Sequence, residues 1–281
     1  MEPSQKLHVL LTNDDGHRAP GIRALHRALK MAGYKVSMVA PSSEQSATSM
    51  GVTSRRNLEL QQLTNDSWHL DGQPVDTVLV AIRHLLEDNP PDLVVSGINF
   101  GPNVGTALYM SGTIGAAIMA SLNGIPAIAV SAGMRFDEVG TEFPSTHEIL
   151  EPAAEFICSI VDELRASVGK SGRLLPSNVM LNVNYPALPR DQIKGVLQPE
   201  ISAGHIIDLA YRRCDETGHV IPRFAAGVDP EKPHREDGDV RAHMEGYITI
   251  SAVKPRWNPP GRQARKLRKR LGKLDRGFRN F

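Results

Sequence analysis

Short apolar runs of strand length recur along the first half of the chain, at residues 7–11, 35–40, 92–95 and 127–131. Helical patterns fill the intervals. Ile22, Leu25 and Leu29 share one face of a segment that begins near Pro20 and ends before Gly33. Val75, Val78, Leu79, Ile82, Leu85 and Leu86 repeat at three- and four-residue spacing after Pro74, and Pro90 and Pro91 close that segment. Residues 113–123 are rich in small side chains and stop at Gly124 and Pro126, which predicts a helix packed closely on a sheet. The alternation predicts an α/β fold with a parallel sheet.

A further helix is expected over 152–167 and a strand over 178–183. Beyond residue 191 the periodicity weakens and charges and turn residues accumulate, until one clear strand at 247–253. The pattern divides the chain into a core, 1–190, a β-rich extension or arm, 191–253, with a strand returning to the core, and a tail, 254–281. The segment 201–222 is the candidate for an arm.

In an open parallel sheet, ligands bind beyond the carboxyl ends of the strands. The first strand here runs into Thr12-Asn13-Asp14-Asp15-Gly16, the second into Pro41-Ser42-Ser43-Glu44-Gln45-Ser46, and the third into Ser96-Gly97-Ile98-Asn99. All three polar segments would share one edge. Adjacent carboxylates repel unless a cation lies between them or one is protonated; an Asp-Asp-Gly sequence is also an ordinary solvated turn. Ser111-Gly112-Thr113, at the start of a helix, suits a phosphate cradle and equally a plain N-cap.

These segments, taken in order, resemble the SurE (stationary-phase survival protein) nucleotidase family. The resemblance rests on Thr12 to Gly16; Val39-Ala40-Pro41 leading to Gln45-Ser46-Ala47; and Pro91 through Asn99 with Gly101, Asn103 and Gly105. Ser111-Gly112-Thr113, Gly124-Ile125-Pro126, Leu181-Asn182-Val183-Asn184 and Glu245-Gly246-Tyr247 complete it. It is dense over residues 7–132 and patchy beyond.

The resemblance implies a Rossmann-like three-layer core with a β-rich C-terminal extension or swapping arm. It also implies a phosphomonoesterase that converts nucleoside 5'-monophosphates, and by extension 3'-monophosphates, to nucleoside and phosphate through a metal-activated water. One divalent ion per subunit would be held by Asp14, Asp15, Ser46 and Asn99, all hard oxygen donors suited to magnesium or manganese rather than zinc. Asp14 and Asp15 would also be catalytic, with Asp15, beside Gly16, the nearer choice of proton acceptor. Asn13, Asn103, Ser111, Gly112 and Thr113 would hold the phosphate. A homodimer or homotetramer is implied, with C-terminal arms exchanged between subunits.

Gln73 stands where the family has threonine, Thr77 where cysteine is common, and Met110 where tyrosine is frequent. Met119-Ala120-Ser121 lacks the usual Glu-Gly, and His17 is unusual after the aspartates. None of these removes a ligand. An aspartyl-phosphate route needs its second carboxylate two residues after the first, where Gly16 stands, so direct attack by water is expected. A dinucleotide-dependent oxidoreductase is disfavoured, because the first turn lacks G-x-G-x-x-G and sets two negative charges where a pyrophosphate would sit. The remaining alternative is a non-catalytic nucleotide- or RNA-binding protein on the same fold.

Composition changes this picture little. The 281 residues are 41% hydrophobic and 22% charged, ordinary for a folded domain. Two cysteines, Cys158 and Cys214, are too few for a disulfide framework, and no apolar run is long enough to span a membrane, so a cytoplasmic protein is expected. The net charge of +1 conceals an asymmetry. From Lys254 onward eleven basic residues face one acid, leaving 21 basic and 30 acidic in the body. The tail reads as a solvated or subunit-docking segment, and nucleic acid is not an expected partner.

Overall fold

The pleat of β1, His8–Thr12, separates two cores: Val9 and Leu11 belong to one and Leu10 to the other, and all three are fully buried. The computed structural model describes residues 6–138, 141–168, 172–204, 206–214, 218–226, 238–255 and 261–278. After β1 come α1 (Pro20–Met31), β2 (Lys35–Pro41), β3 (Leu60–Thr64), β4 (Ser67–Leu70) and α2 (Pro74–Val80). Then follow β5 (Leu93–Phe100), α3 (Gly112–Leu122), β6 (Ala127–Ala132), α4 (Pro144–Glu148), α5 (Leu150–Ala166) and β7 (Met180–Tyr185). The last elements are β8 (Val196–Leu197), β9 (Ile207–Arg213), β10 (Val220–Ala226), α6 (Asp239–Met244), β11 (Ile248–Val253) and α7 (Gly261–Phe278).

Among the described residues the main sheet has the order β3-β4-β2-β1-β5-β6-β7-β11-β8. Its strands from β4 to β7 are parallel, and β11 returns antiparallel to β7. Helices α1 and α5 cover one face, burying Ile22, Leu25, Leu29, Ile157 and Val161 against Val9, Leu11, Val95 and Val130. Helices α2 and α3 cover the other, where Val78, Ile114 and Ala117 meet Leu10, Val39 and Val94. This is the expected three-layer α/β fold. β9 and β10 form a separate antiparallel hairpin within the expected arm. Residues 227–237 of the extension, and 256–260 and 279–281 of the tail, lie outside the described residues.

Three departures from the sequence expectation have physical causes. β5 does not stop at Val95 but continues to Phe100, with a bulge against β6 between Ser96 and Asn99, so the polar segment is strand and not loop. The edge hairpin β3–β4 carries no apolar alternation to betray it: Gln61, Gln62, Leu63 and Thr64 are all exposed. The α2 pattern does not run on as one α-helix. It widens after Val80, where the Leu86 amide donates to the Ala81 carbonyl five residues back, at 2.8 Å.

The α1–α5 layer should dominate stability. Leu25→Ala removes a fully buried side chain and is expected to lower the unfolding free energy by about 2–5 kcal/mol. Met31→Ala, at an 87% exposed position of the same helix, should change it little. Urea denaturation of both variants checks this, and equal effects would contradict the packing described.

Candidate active site

β1 and β5 are neighbours, yet the chain leaves β1 through α1 on one face and leaves β5 through α3 on the other. A crevice opens at such a reversal, at the carboxyl ends of the strands. The turn after β1 enters it with Asn13, Asp14 and Asp15. Asn13 is fully buried, and its Nδ2 donates to the Gly16 carbonyl at 2.9 Å, closing the turn, while its Oδ1 has no partner among the described residues.

Asp14 is 3% exposed and faces the N-terminus of α3. Its Oδ1 accepts a hydrogen bond from the Thr113 hydroxyl. Burial pushes its carboxyl above the ordinary range, and the Thr113 hydroxyl and the amides of Thr113 and Gly112 pull it back. A Cβ on Gly112 would lie 3.0 Å from the Asp14 Cβ, the Pro74 ring and the Thr48 hydroxyl alike. Any side chain there would crowd the three elements, each of which would have to give by a few tenths of an ångström.

Asp15 is pushed up to about 7, by burial first and then by the charge of Asp14 beside it, with Glu44 adding to the rise. The Phe100 amide donates to Asp15 Oδ2 at 3.3 Å and opposes the shift. Asn99 reaches the same crevice from the end of β5. Its Nδ2 is spent on the Gly101 carbonyl at 2.7 Å, which leaves Oδ1 as the free end of the amide. Ser46 lies on the exposed loop after β2, its hydroxyl donating to Glu44 Oε1 at 2.7 Å. That loop is tied to the site: the Gln45 amide donates to the Asp14 carbonyl at 2.7 Å, and the Ser49 amide to the Met110 carbonyl at 3.0 Å.

The expected phosphate-binding residues fall into two groups. Ser111, Gly112 and Thr113 are beside Asp14. Ser111 serves as the N-cap of α3, its Oγ accepting from the Ile114 amide at 3.2 Å, and the Thr113 hydroxyl is turned to Asp14. Asn103 instead sits at the ends of β6 and β7. Its Nδ2 donates to Ser131 Oγ at 2.8 Å, its amide to Asn184 Oδ1 at 2.7 Å, and its carbonyl accepts from Asn182 Nδ2 at 2.8 Å. Ser131, Asn182 and Asn184 therefore shape the site without having been assigned a role from sequence. The signal was available, since Asn182 and Asn184 alternate onto one face of a strand in an otherwise apolar sheet.

The family model described as "Survival protein SurE" matches residues 9–206. The chain belongs to the SurE family. It is 39% identical over 253 residues to "5'-nucleotidase SurE" of Carboxydothermus hydrogenoformans, covering 88% of this chain and 90% of that one. It is 36% identical over 254 residues to the protein of the same description from Gloeobacter violaceus, with the same coverage. The crystal structure of the SurE protein from Aquifex aeolicus superposes with a TM-score of 0.76 at 29% identity, over 95% of this chain and 99% of that one.

In this SurE-family crevice the donors fit a hard cation. Two carboxylates are adjacent, Asp14 buried and Asp15 half-buried; loss of solvent and then the charge of Asp14 raise Asp15, and Asn99 has an amide oxygen to offer. No group of three or more His, Cys, Asp or Glu suited to a metal occurs among the described residues. A cation here would rely on neutral oxygens and water beside the two carboxylates, as magnesium and manganese do. His17 stands next to this site and stacks on His69, ring centroids 4.5 Å apart; burial lowers its pKa.

The carboxyl pair makes a signed prediction for the metal-free protein. Because the fold raises Asp15 from 3.8 to about 7, the stability linked to its protonated form is complete below about pH 3.8 and is lost as pH rises through about 7. Asp14 shifts in the same direction. In chelator, the wild type should therefore be less stable near pH 8 than near pH 5, and Asp15→Asn should lose part of that difference. Thermal melts at both pH values decide it; identical slopes in the two proteins would refute the raised Asp15 carboxyl.

Proposed function

We propose that this chain is a 5'-nucleotidase that hydrolyses nucleoside 5'-monophosphates to nucleoside and phosphate. The observation that carries the reading is the pairing of Asp14 and Asp15 at the topological reversal of the sheet, directly against the N-terminus of α3. The descriptions of the relatives support it. Asp14, Asp15, Ser46 and Asn99 would hold one magnesium or manganese ion, which when bound supplies positive charge to the phosphate and acidifies a water molecule.

The protein's own groups then have separable tasks. Thr113 and the first amides of α3 hold Asp14 in place, and Ser111 fixes the geometry of that helix end. Asp15 is the carboxylate that would accept a proton from the attacking water. The water oxygen bonds to phosphorus, the ester P–O bond breaks, and the leaving alkoxide takes a proton from solvent to become the nucleoside hydroxyl while Asp15 returns its proton to solvent. Asn103 anchors its loop through one N–H of its side-chain amide, which donates to Ser131, and its second N–H is the group that would meet a phosphate. Nucleoside 3'-monophosphates are a second substrate class in this reading.

A homo-oligomer is proposed as the working form. The hairpin β9–β10 displays Tyr211, Val220 and Ile221, 68%, 60% and 41% exposed, which supports its use as a contact between copies. No helix among the described residues is long and apolar enough to cross a membrane.

Phosphate release from a panel of nucleoside 5'- and 3'-monophosphates, with magnesium, manganese or chelator, tests the reading. Turnover should require the divalent ion, and Asp14→Asn should lower kcat/KM by about 100-fold or more. Metal-independent turnover, or full activity in the variant, would remove Asp14 from the chemistry. Nucleotide binding without turnover under any metal would favour a binding protein on the same fold.

A further inference from the structure

A groove of about 540 Å³ lies beside the candidate metal site, with Gln45 and residues 52–56 on one wall and Gly72 and Gln73 on the other. Its nearness to the reacting end follows from shared contacts. Gln45 donates its amide to the Asp14 carbonyl, and Pro74, which follows Gln73, meets Asp14 and Thr48 at Gly112. The walls are held by a buried carboxylate. Asp76, 3% exposed, accepts from the Thr53 amide at 3.0 and 3.2 Å and from the Gln73 amide at 2.8 Å. A Cβ on Gly51 would lie 1.8 Å from Gln73 Oε1, so glycine there makes room for the long side chain that replaces the family's threonine.

The charges in the groove are uneven. Arg56 is committed to Asp71, its Nη1 2.6 Å from Oδ2, and to the Asn57 carbonyl at 3.1 Å. Arg55 makes no ion pair or hydrogen bond among the described residues, and no acidic side chain lines the groove. One uncommitted guanidinium, the amides of Gln45 and Gln73, and the hydroxyls of Thr53 and Ser54 form a donor-rich surface that favours an anion. Gln45, whose amide donates to the Asp14 carbonyl, joins that surface to the carboxyl pair.

We infer that the Arg55 groove is a subsite for a second phosphate on the leaving group, so that nucleotides bearing two separate phosphates, such as nucleoside 3',5'-bisphosphates, are preferred substrates. This rests on the nucleotidase reading. Arg55 supplies the paired N–H donors and Gln73 the neighbouring amide, while Asp76 is a positioning residue for both walls.

The test compares kcat/KM for adenosine 3',5'-bisphosphate and adenosine 5'-monophosphate in the wild type, Arg55→Ala and Arg55→Lys, with magnesium or manganese present. The wild type should favour the bisphosphate, Arg55→Ala should cut that preference by about tenfold, and Arg55→Lys should restore part of it. Arg55 is exposed, and matching melting curves would show that the variants fold alike. Turnover of both nucleotides with the same preference in all three proteins would overturn the subsite alone. Turnover of neither would overturn the nucleotidase reading and the subsite with it.

Discussion

The withdrawal of two adjacent carboxylates, Asp14 and Asp15, from water is the constraint around which the surrounding structure is arranged. Two carboxylates at the end of a buried strand would ordinarily take up protons, and Asp15 is displaced in that direction. The fold opposes the cost unequally. It turns the Thr113 hydroxyl and the leading amides of α3 toward Asp14, and offers Asp15 a single long hydrogen bond from Phe100. The asymmetry leaves one carboxylate braced by the protein and its neighbour dependent on something else.

That bracing requires α3 to come close, which explains its composition. Gly112, Ala116, Ala117 and Ala120 are buried, and the helix is apolar nearly all round, so it cannot be read as an ordinary amphipathic crossover. The loops converge for the same reason. The segment after β2 is pinned to Asp14 through Gln45 and to the approach to α3 through Ser49, whose hydroxyl donates to the Tyr109 carbonyl at 2.8 Å. A displacement of α3 would therefore move the Ser46 loop with it.

Much of this was legible in the sequence, and the failures have physical origins. The apolar runs of β1, β2 and β6 and the faces of α1 and α5 follow from burial on two sides, because a buried parallel strand must be apolar almost throughout. The polar strand ends stood out against that background, and it was the resemblance to the SurE family that singled out Asp14, Asp15 and Asn99 within them. The full length of β5 could not, since Gly97 and the polar residues around it imitate a loop. Nor could the edge hairpin β3–β4, where exposure removes the pressure that writes alternation into a strand. Side-chain commitments were the least readable of all. Nothing in the sequence reveals that the Thr113 hydroxyl braces Asp14, or that the Asn103 amide donates to Ser131.

The division of labour at Gly112 has an evolutionary consequence. The elements that meet there, the Asp14 turn, Thr48 and Pro74, leave little space for a side chain at position 112. Residues 52–56, by contrast, are fastened to this knot by the Thr53–Asp76 bonds and otherwise run along the rim. A lineage could exchange that rim segment, changing what the enzyme accepts, while the reacting end stayed frozen. Chemistry would be inherited and appetite would be negotiable.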